Sequence, residues 1–236
     1  MARKTLLYVI TKSELGGAQG HVSDLIASLH RDYDIHLAVG APGLLTDKIA
    51  DLGVKVHIIS SLQRRISPSQ DLWAIKQCVA IVKLVKPDLI HCHSSKAGVV
   101  ARLAAWICRV PVVFTAHGWG FDPRSPRLQR NIALGIEKIL APLTTKIICV
   151  SESDRQLAIS LKVTAPKLVV TIHNGIAYGT TPTATPAQQP PKLILVARFN
   201  RSQKDQHTLM QAIARIKQPI QLDFVGSGDD WNGSKT

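Results

Sequence analysis

The chain has 236 residues, and 45% of them are hydrophobic, which is enough for a sizeable buried core and excludes a disordered chain. No segment approaches the roughly 20 uncharged apolar residues that a membrane-spanning helix needs. The net charge of +13 favours anionic partners, namely phosphorylated ligands, an anionic membrane surface or nucleic acid. The basic residues are spread along the chain without a long basic run, so we expect no nucleic-acid partner.

Short runs rich in valine and isoleucine alternate with amphipathic segments over residues 1–176. The runs predict seven strands, at residues 5–11, 35–39, 55–59, 89–93, 112–116, 146–150 and 168–172. The amphipathic segments predict six helices, at residues 18–29, 44–52, 72–85, 97–107, 128–140 and 152–161. Continuous apolar strands alternating with helices predict a doubly wound parallel sheet, that is, an α/β Rossmann-like domain. Such sheets place ligand sites at the carboxyl ends of their strands.

The composition changes after residue 176. Residues 177–191 are rich in Thr, Ala, Gln and Pro, which is typical of an extended linker. The alternation then restarts, with a strand predicted at residues 192–197, a helix at 206–216 and a strand at 222–225. The segment 192–236 is shorter than a domain that folds alone, so it predicts the first β-α-β of an incomplete second Rossmann-like domain.

The four cysteines are Cys78, Cys92, Cys108 and Cys149, and none of them forms a C-x-x-C pair. All four lie in apolar contexts, which predicts buried free thiols rather than a disulfide framework. Free thiols persist in reducing compartments, so this cysteine usage favours a cytoplasmic location.

Two glycines, Gly16 and Gly17, follow the first predicted strand and open the first predicted helix. Glycine lets the backbone approach a ligand closely, and a helix N-terminus offers unpaired N–H groups to a phosphate. The full G-x-G-x-x-G fingerprint of dinucleotide-binding proteins is absent. A phosphate site and a simple tight turn are therefore both compatible with the sequence.

Polar residues follow three of the predicted strands. His93 and Ser94 end the strand at 89–93, His117 follows the strand at 112–116, and Ser151 follows the strand at 146–150. We expect these side chains to line a pocket for a sugar or acceptor, with His117 donating a hydrogen bond to a sugar hydroxyl. The structural alternative is helix capping by Ser94 and Ser151 and a turn at His117.

Two further features surround His117. Trp119 and Phe121 follow it closely, and either ring could stack on the apolar face of a sugar. His91 and His93 lie on one face of a strand, so together with His117 they could form a metal site. No carboxylate or cysteine completes that set convincingly, and we therefore expect no metal.

Arg198 and Lys204 flank the loop after the first strand of the second domain. Two cations around a strand-to-helix loop suit a diphosphate, although a solvated surface pair has the same sequence signature. Gly226 and Gly228 follow the last predicted strand and could bring the backbone close to a nucleotide.

The order of these motifs resembles that of family 4 glycosyltransferases. The resemblance covers essentially the whole chain and rests on short motifs in a shared order. In this sequence the motifs are Gly16-Gly17, His117-Gly118, Ser151-Glu152, Asn174-Gly175-Ile176, Val196-Ala197-Arg198 with Lys204, and Val225-Gly226-Ser227-Gly228.

The resemblance implies the GT-B fold, in which two Rossmann-like domains face each other across the active-site cleft. It implies that a sugar passes from a nucleotide-sugar donor, with UDP as the expected nucleotide, to a glycan or lipid-linked acceptor. The family retains the anomeric configuration and needs no metal or other cofactor. It builds cell-surface polysaccharide or lipopolysaccharide, which implies a cytoplasmic protein with a peripheral contact to the anionic inner membrane.

The resemblance also implies roles for the matching positions. Residues 16–17 would approach the donor phosphates, and Arg198 and Lys204 would neutralise the diphosphate as it leaves. His117 would lie near the transferred sugar, and residues 226–228 would lie near the nucleoside.

One feature of the family is missing. Its members carry a Glu-x7-Glu segment after the diphosphate pair, and that segment holds the ribose and the sugar of the donor. Only aspartates follow Lys204 in this sequence, at Asp205, Asp223, Asp229 and Asp230. We therefore interpret the chain as a truncated or split gene product that is inactive alone. The alternative to an enzyme is a non-catalytic basic module that binds an acceptor lipid, a membrane surface or a partner subunit.

Overall fold

The structure is a computed structural model that describes residues 3–14, 16–176, 187–199, 204–226 and 228. The chain divides into two compact units, residues 1–177 and 178–236. Most of the predicted linker, residues 177–191, lies outside the described residues.

The first unit is built on seven parallel strands with helices on both sides of the sheet. The strands are β1 (Thr5–Ile10), β2 (Asp34–Val39), β3 (Lys55–Ile58), β4 (Leu89–His93), β5 (Val112–Ala116), β6 (Lys146–Cys149) and β7 (Val169–Thr171). The helices are α1 (Gly17–Leu29), α2 (Leu44–Lys48), α3 (Pro68–Val85), α4 (Ser95–Cys108), α5 (Arg127–Leu140) and α6 (Glu152–Ser160).

The strand order is β3-β2-β1-β4-β5-β6-β7, with β1 paired to both β2 and β4. The chain moves outward from β1 in one direction through β3, and then crosses back to β4 and continues in the other direction. This is the doubly wound parallel sheet that the continuous apolar strands predicted, and the α/β prediction is confirmed. The point where the order reverses lies between β1 and β4.

Two apolar clusters cover the two faces of the sheet. On one face, α1 and α2 bury Val22, Ile26 and Leu45 against Tyr8 and Leu37. On the other face, a larger cluster contains side chains of β1, β4, β5 and β6 together with buried residues of α3, α4 and α6. β1 contributes Leu7 and Val9 to one cluster and Tyr8 and Ile10 to the other, so both of its faces are in the core and it carries no polar alternation.

Two helix boundaries of the first unit differ from the prediction by about one turn. The helix predicted from residue 72 begins one turn earlier, at Pro68, because proline suits the first helical position, where its missing N–H is not needed. The helix predicted at 44–52 ends at Lys48, and a separate 3₁₀ turn, Ala50–Leu52, follows it. Gly53, in the left-handed conformation at φ 71°, terminates that turn.

A buried ion pair joins α4 to α5. Both terminal nitrogens of Arg102 donate to the Glu137 carboxylate, at 2.8 and 2.9 Å, and its Nε donates to the carbonyl of Gly98 at 2.9 Å. The guanidinium carbon lies 4.3 Å from the centroid of the Phe114 ring. Arg102 has no exposed surface, so this pair fixes how α5 is rotated against the domain.

The second unit contains two parallel strands and one helix among its described residues. They are β8 (Lys192–Val196), α7 (Gln206–Ile213) and β9 (Gln221–Val225). The β-α-β order agrees with the prediction for this segment, although α7 ends three residues early. None of the helices in the described parts of either unit has the length and apolar composition needed to cross a bilayer.

Candidate functional site

The carboxyl edge of the sheet brings together residues that are distant in sequence. Ile10, at the end of β1, is in register with His93, and His93 is in register with Thr115 on β5. Thr11 and His117, which follow β1 and β5, therefore lie at the same edge as His93. This is the edge where doubly wound sheets bind ligands, next to the reversal of strand order.

Four histidines form a cluster at this edge. The Nδ1 atom of His93 lies 3.1 Å from Nε2 of His117, and Nε2 of His91 lies 2.7 Å from the hydroxyl of Thr115. His21, on the second turn of α1, places its ring centroid 5.4 Å from that of His117 and 5.8 Å from that of His93. The sequence analysis missed His21, whose only signal is its position one turn after the glycine pair.

Burial keeps these imidazoles neutral at physiological pH. Desolvation, with a smaller contribution from the neighbouring His21, lowers the pKa of His91 and of His117 to about 4. Desolvation also lowers the pKa of His93 well below its usual value and lowers the pKa of His21. Each ring therefore offers one N–H donor and one lone pair, without a positive charge.

His93 has no exposed surface, and its Nε2 atom has no hydrogen-bond partner in the part of the chain that the structure describes. It therefore does not line an open pocket as expected, and instead lies behind the half-buried ring of His117. The metal site considered for His91, His93 and His117 finds no support in the geometry, since no three His, Cys, Asp or Glu side chains among the described residues are arranged around a common ion position.

The glycine pair opens α1 toward the same edge. Gly16 occupies the N-cap position, and Gly17 is the first helical residue. No atom lies within 4 Å of the position that a Cβ on Gly17 would take, so the backbone is accessible there. Because His21 on this helix contacts the rings of His93 and His117, the N-terminus of α1 lies beside the histidine cluster. Its free N–H groups can receive an anion.

Ser94 does not cap α4 as predicted. It occupies the N-cap position at φ 70°, but its hydroxyl lies 2.8 Å from that of Thr11. The Thr11 hydroxyl instead accepts a hydrogen bond from the N–H of Ala97, at 3.2 Å. A residue of the β1 end therefore caps α4, and Ser94 is held in a left-handed conformation that is rare for a residue with a side chain.

The prediction that Trp119 or Phe121 stacks on a sugar is wrong. Trp119 is 6% exposed and Phe121 is fully buried, with their ring centroids 4.7 Å apart. The indole N–H of Trp119 donates to the carbonyl of Asp154 at 2.9 Å. Both rings are part of the core, and they anchor the loop that follows His117. Gly118, in that loop, has φ 122°, which a residue with a side chain would adopt only under strain.

Ser151 has the capping role that was its structural alternative. Its hydroxyl accepts from the N–H of Asp154 at 3.2 Å and lies 2.7 Å from the Asp154 carboxylate. Ser151 is half-buried at the carboxyl end of β6, next to the β5 end that carries His117. This capping hydrogen bond is sufficient to explain why a serine occupies residue 151. A contact between Ser151 and a sugar stays a prediction.

A cleft that the sequence analysis missed lies at the ends of β1, β2 and β3. It has a volume of about 390 Å³, and its walls include Lys12, Ser13, Gly40, Gln63 and Arg64. A Cβ on Gly40 would collide with the carbonyl oxygens of Leu62 and Thr11, so only glycine fits between these loops. In the sequence, this cleft is indicated only by the polar residues that follow β1 and β3. These residues match no known motif, so they were not predicted to form a site.

The remaining predicted residues belong to the second unit. Arg198 and Lys204 are exposed, and the carbonyl of Arg198 accepts from Gln206 at 2.8 Å. Residues 200–203, between the two cations, lie outside the described residues. Gly226 and Gly228 pack against the backbone of Ala197 and Phe199, where a Cβ would collide with main-chain atoms. These glycines therefore hold the loop that carries Arg198, and their contact with a nucleotide stays a prediction.

Similar proteins give this arrangement a context. The chain is 31% identical over 148 residues to an Escherichia coli UDP-Gal:alpha-D-GlcNAc-diphosphoundecaprenol alpha-1,3-galactosyltransferase, covering 62% of this chain and 38% of that protein. It is 28% identical to the E. coli O-antigen biosynthesis glycosyltransferase WbnH, covering 96% of this chain and 64% of the relative. The chain thus spans less than two thirds of the length of these relatives.

Solved structures show the same fold. Anabaena HepE in complex with UDP and glucose superposes with a TM-score of 0.75 at 19% identity, over 96% of this chain and 62% of HepE. The lipopolysaccharide outer core galactosyltransferase WaaB superposes with a TM-score of 0.69 at 14% identity, over 98% of this chain and 62% of WaaB. Both are GT-B proteins, which confirms the predicted fold class.

A family model decides the classification. The model of Glycosyltransferase Family 4 matches residues 15–178, which include the glycine pair, the histidine cluster and Ser151. The matched segment is more than half of the chain and coincides with the first unit. The chain therefore belongs to glycosyltransferase family 4.

Proposed function

We propose that this protein transfers a sugar from a UDP-sugar donor to a lipid-linked glycan, with retention, during synthesis of a cell-surface polysaccharide such as O-antigen. Membership of family 4 supports transfer, and the names of two E. coli relatives supply the donor class, the diphosphate-lipid acceptor and the pathway. The observation that carries the proposal is the neutral, half-buried His117 beside the open N-terminus of α1.

The site offers two kinds of stabilisation. Cleavage of the bond between sugar and diphosphate builds negative charge on the leaving diphosphate. The N–H groups at Gly17 would receive that charge, and the family resemblance gives Arg198 and Lys204 the same role. His117, as a neutral N–H donor, would hold a hydroxyl of the sugar without attracting the phosphate away from the helix. In this proposal the chain's own cations take the place of a metal, and no cofactor is needed.

We assign the acceptor to the cleft at the ends of β1, β2 and β3. The cleft lies along the same edge of the sheet as His117, and polar atoms of Ser13 and Gln63 line it. Arg64 supplies positive charge at its wall, which suits the diphosphate of a lipid-linked glycan, whereas Lys12 is paired with Glu14 of the same wall at 2.9 Å. A lipid-linked acceptor would keep the protein at the cytoplasmic face of the membrane, and the net charge of +13 favours that surface.

Calorimetric titration with UDP and with GDP tests the donor site of this chain. We expect UDP to bind and GDP to bind about tenfold more weakly or not at all. Arg198→Ala should weaken UDP binding about tenfold, since a charge-assisted hydrogen bond to phosphate contributes about 1.5–3 kcal/mol. Arg215→Ala is the matched control, because Arg215 is an exposed arginine of the same unit after the end of α7.

The titration separates the proposal from its alternatives. Absence of UDP binding, or equal loss of affinity in Arg198→Ala and Arg215→Ala, would contradict the donor site. Tighter binding of GDP than of UDP would contradict the proposed donor nucleotide. A basic module without catalysis predicts membrane or partner binding that is unaffected by Arg198→Ala and no specific nucleotide.

A further inference from the structure

Helix α5 carries its large apolar side chains on the outside of the domain. Leu128 is 75% exposed, Ile132 51%, Ile136 38% and Ile139 71%. Their spacing of four, four and three residues places them on one face of the helix. We call these four residues the α5 stripe. A surface helix normally turns such a stripe toward the core, so the reversed orientation needs an explanation.

The orientation of α5 is fixed by the groups on its inner face. Glu137 is 5% exposed and is held by both terminal nitrogens of the fully buried Arg102. Ala133 and Leu134 pack against the core, and Leu140 is 3% exposed. Rotating the helix to bury the α5 stripe would break this ion pair and leave Arg102 buried without a partner, which is strongly unfavourable.

Positive charge borders the α5 stripe. Residues 122–140 contain four basic side chains, Arg124, Arg127, Arg130 and Lys138, and two acidic side chains, Asp122, which pairs with Arg124, and Glu137, which pairs with Arg102. An α-helix turns by about 100° per residue, which places Arg127 and Lys138 together along one flank of the α5 stripe. Both side chains are exposed. An outward apolar face with lysine and arginine at its border is the pattern of a helix that lies in a membrane interface.

We propose that the α5 stripe is the surface by which this protein docks on an anionic phospholipid bilayer. The helix would lie parallel to the membrane, with Leu128, Ile132 and Ile139 in the acyl boundary and Arg127 and Lys138 among the phosphates. Its 14 residues span about 21 Å. The inference rests on the proposed function in one respect: a lipid-linked acceptor explains why the enzyme needs to be at the bilayer.

Neighbouring side chains and charge favour a bilayer over a second copy of the chain. Trp106, 63% exposed, lies one turn after Arg102 on α4, the helix that Arg102 joins to α5. Tryptophan is the side chain most typical of membrane interfaces. Pairing two α5 stripes would instead bring Arg127 and Lys138 of both copies toward each other, in a protein whose net charge is already +13.

Vesicle flotation with the full chain tests the proposal. We expect binding to vesicles of phosphatidylethanolamine with phosphatidylglycerol, and weak binding to vesicles of phosphatidylcholine. The triple substitution Leu128→Gln, Ile132→Gln, Ile139→Gln should lower the partition coefficient about tenfold or more. Arg127→Gln with Lys138→Gln should lower it about fivefold per charge, and only at low salt. The matched control is Leu72→Gln with Leu84→Gln, two exposed leucines on α3, which should bind as the wild type does.

A label reports the contact directly. A Cβ placed at Gly135, within the exposed face of α5, would have no atom within 4 Å. Gly135→Cys can therefore carry an environment-sensitive dye, with the labelled wild type correcting for Cys108. We expect the dye emission to shift to the blue on addition of phosphatidylglycerol vesicles, and not on addition of phosphatidylcholine vesicles.

Several results would overturn the proposal. One such result is that the wild type does not bind vesicles, or that the triple variant binds them as well as the wild type does. Another is that the α3 control variant loses binding while the triple variant does not. A third is that the wild type forms concentration-dependent dimers that disappear in the triple variant. UDP affinity, measured on the same samples, distinguishes this failure from failure of the proposed function. A chain that binds UDP but no vesicles contradicts only the docking surface, and a chain that binds vesicles but no UDP contradicts only the proposed function.

Discussion

His117 has two ring nitrogens in different surroundings. Its Nε2 faces Nδ1 of the buried His93, whereas its Nδ1 has no protein partner among the described residues. Buried N–H groups without an acceptor are rare, and Nε2 of His93 has no partner. The favoured arrangement therefore leaves Nε2 of His93 unprotonated, so that Nδ1–H of His93 donates to Nε2 of His117. His117 then carries its own proton on Nδ1, where it can donate to a ligand.

We expect long-range ¹H–¹⁵N NMR spectra to show His117 as the Nδ1–H tautomer at neutral pH. His93→Asn should preserve this tautomer, because the Asn amide can donate from a similar position, and should keep most of the transfer rate. His93→Leu should remove the preference and lower kcat about tenfold, with little change in KM, since the donor to the sugar is then not oriented. An Nε2–H tautomer in the wild type, or equal rates for the two variants, would contradict this assignment.

Sequence reasoning could place His117 and the glycine pair at one edge of the sheet, because parallel strands must end at a common edge and both features follow strands. It failed for Trp119, because an aromatic residue among glycines looks the same whether its ring points outward or into the core. It assigned capping of α4 to Ser94, the adjacent hydroxyl, whereas Thr11 reaches the helix from a strand 83 residues away. Contacts of that kind depend on strand order, which local patterns do not contain.

At the scale of elements, α4 and α5 act as one unit through the buried pair of Arg102 and Glu137. The periodicity of residues 128–140 correctly predicted a helix, and a surface helix normally buries such an isoleucine face. The charged residue on the opposite face settles the orientation instead, because Arg102 is already enclosed by Gly98 and Phe114 and requires a carboxylate. Apolar periodicity locates a helix, and a buried polar partner can decide which face is inside.

Glu137→Gln should therefore lower the free energy of unfolding by about 3–5 kcal/mol, because it leaves the buried guanidinium of Arg102 without a countercharge. Chemical denaturation followed by circular dichroism measures this change. Asp24→Asn is the control: it removes an exposed carboxylate that lies 3.7 Å from Lys48, and it should leave the unfolding midpoint nearly unchanged. Equal effects of the two substitutions would contradict the structural role of the buried pair.

At the scale of the whole molecule, the first unit contains most of what has been described: the sheet, the histidine cluster, the α1 terminus, the cleft at the ends of β1, β2 and β3, and the α5 stripe. The second unit supplies Arg198 and Lys204, whose roles rest on their family positions. The sequence predicted the fold class and the β-α-β of the second unit because both follow from the order of strands and helices. The cleft and the outward stripe could not be predicted, since each depends on how loops and helices pack.

The central claim is sugar transfer from a UDP-sugar, and transfer itself is the measurement that tests it most directly. The full chain, supplied with a complementing polypeptide that carries the Glu-x7-Glu segment, is incubated with a UDP-sugar and a diphosphate-lipid-linked N-acetylglucosamine acceptor, and NMR follows the anomeric proton of the donor sugar. We predict a new glycosidic bond with the anomeric configuration of the donor. His117→Ala should lower kcat/KM by about 100-fold, because it removes a hydrogen bond to the reacting sugar.

His30→Ala is the control for that measurement. His30 follows α1, at the end of the helix opposite the glycine pair, and its ring bonds only to the carbonyl of Ala27 among the described residues. This variant should transfer at the wild-type rate. Consumption of the UDP-sugar without a new glycosidic bond, inversion of the anomeric centre, absence of any reaction, or equal loss in His30→Ala and His117→Ala would contradict the account.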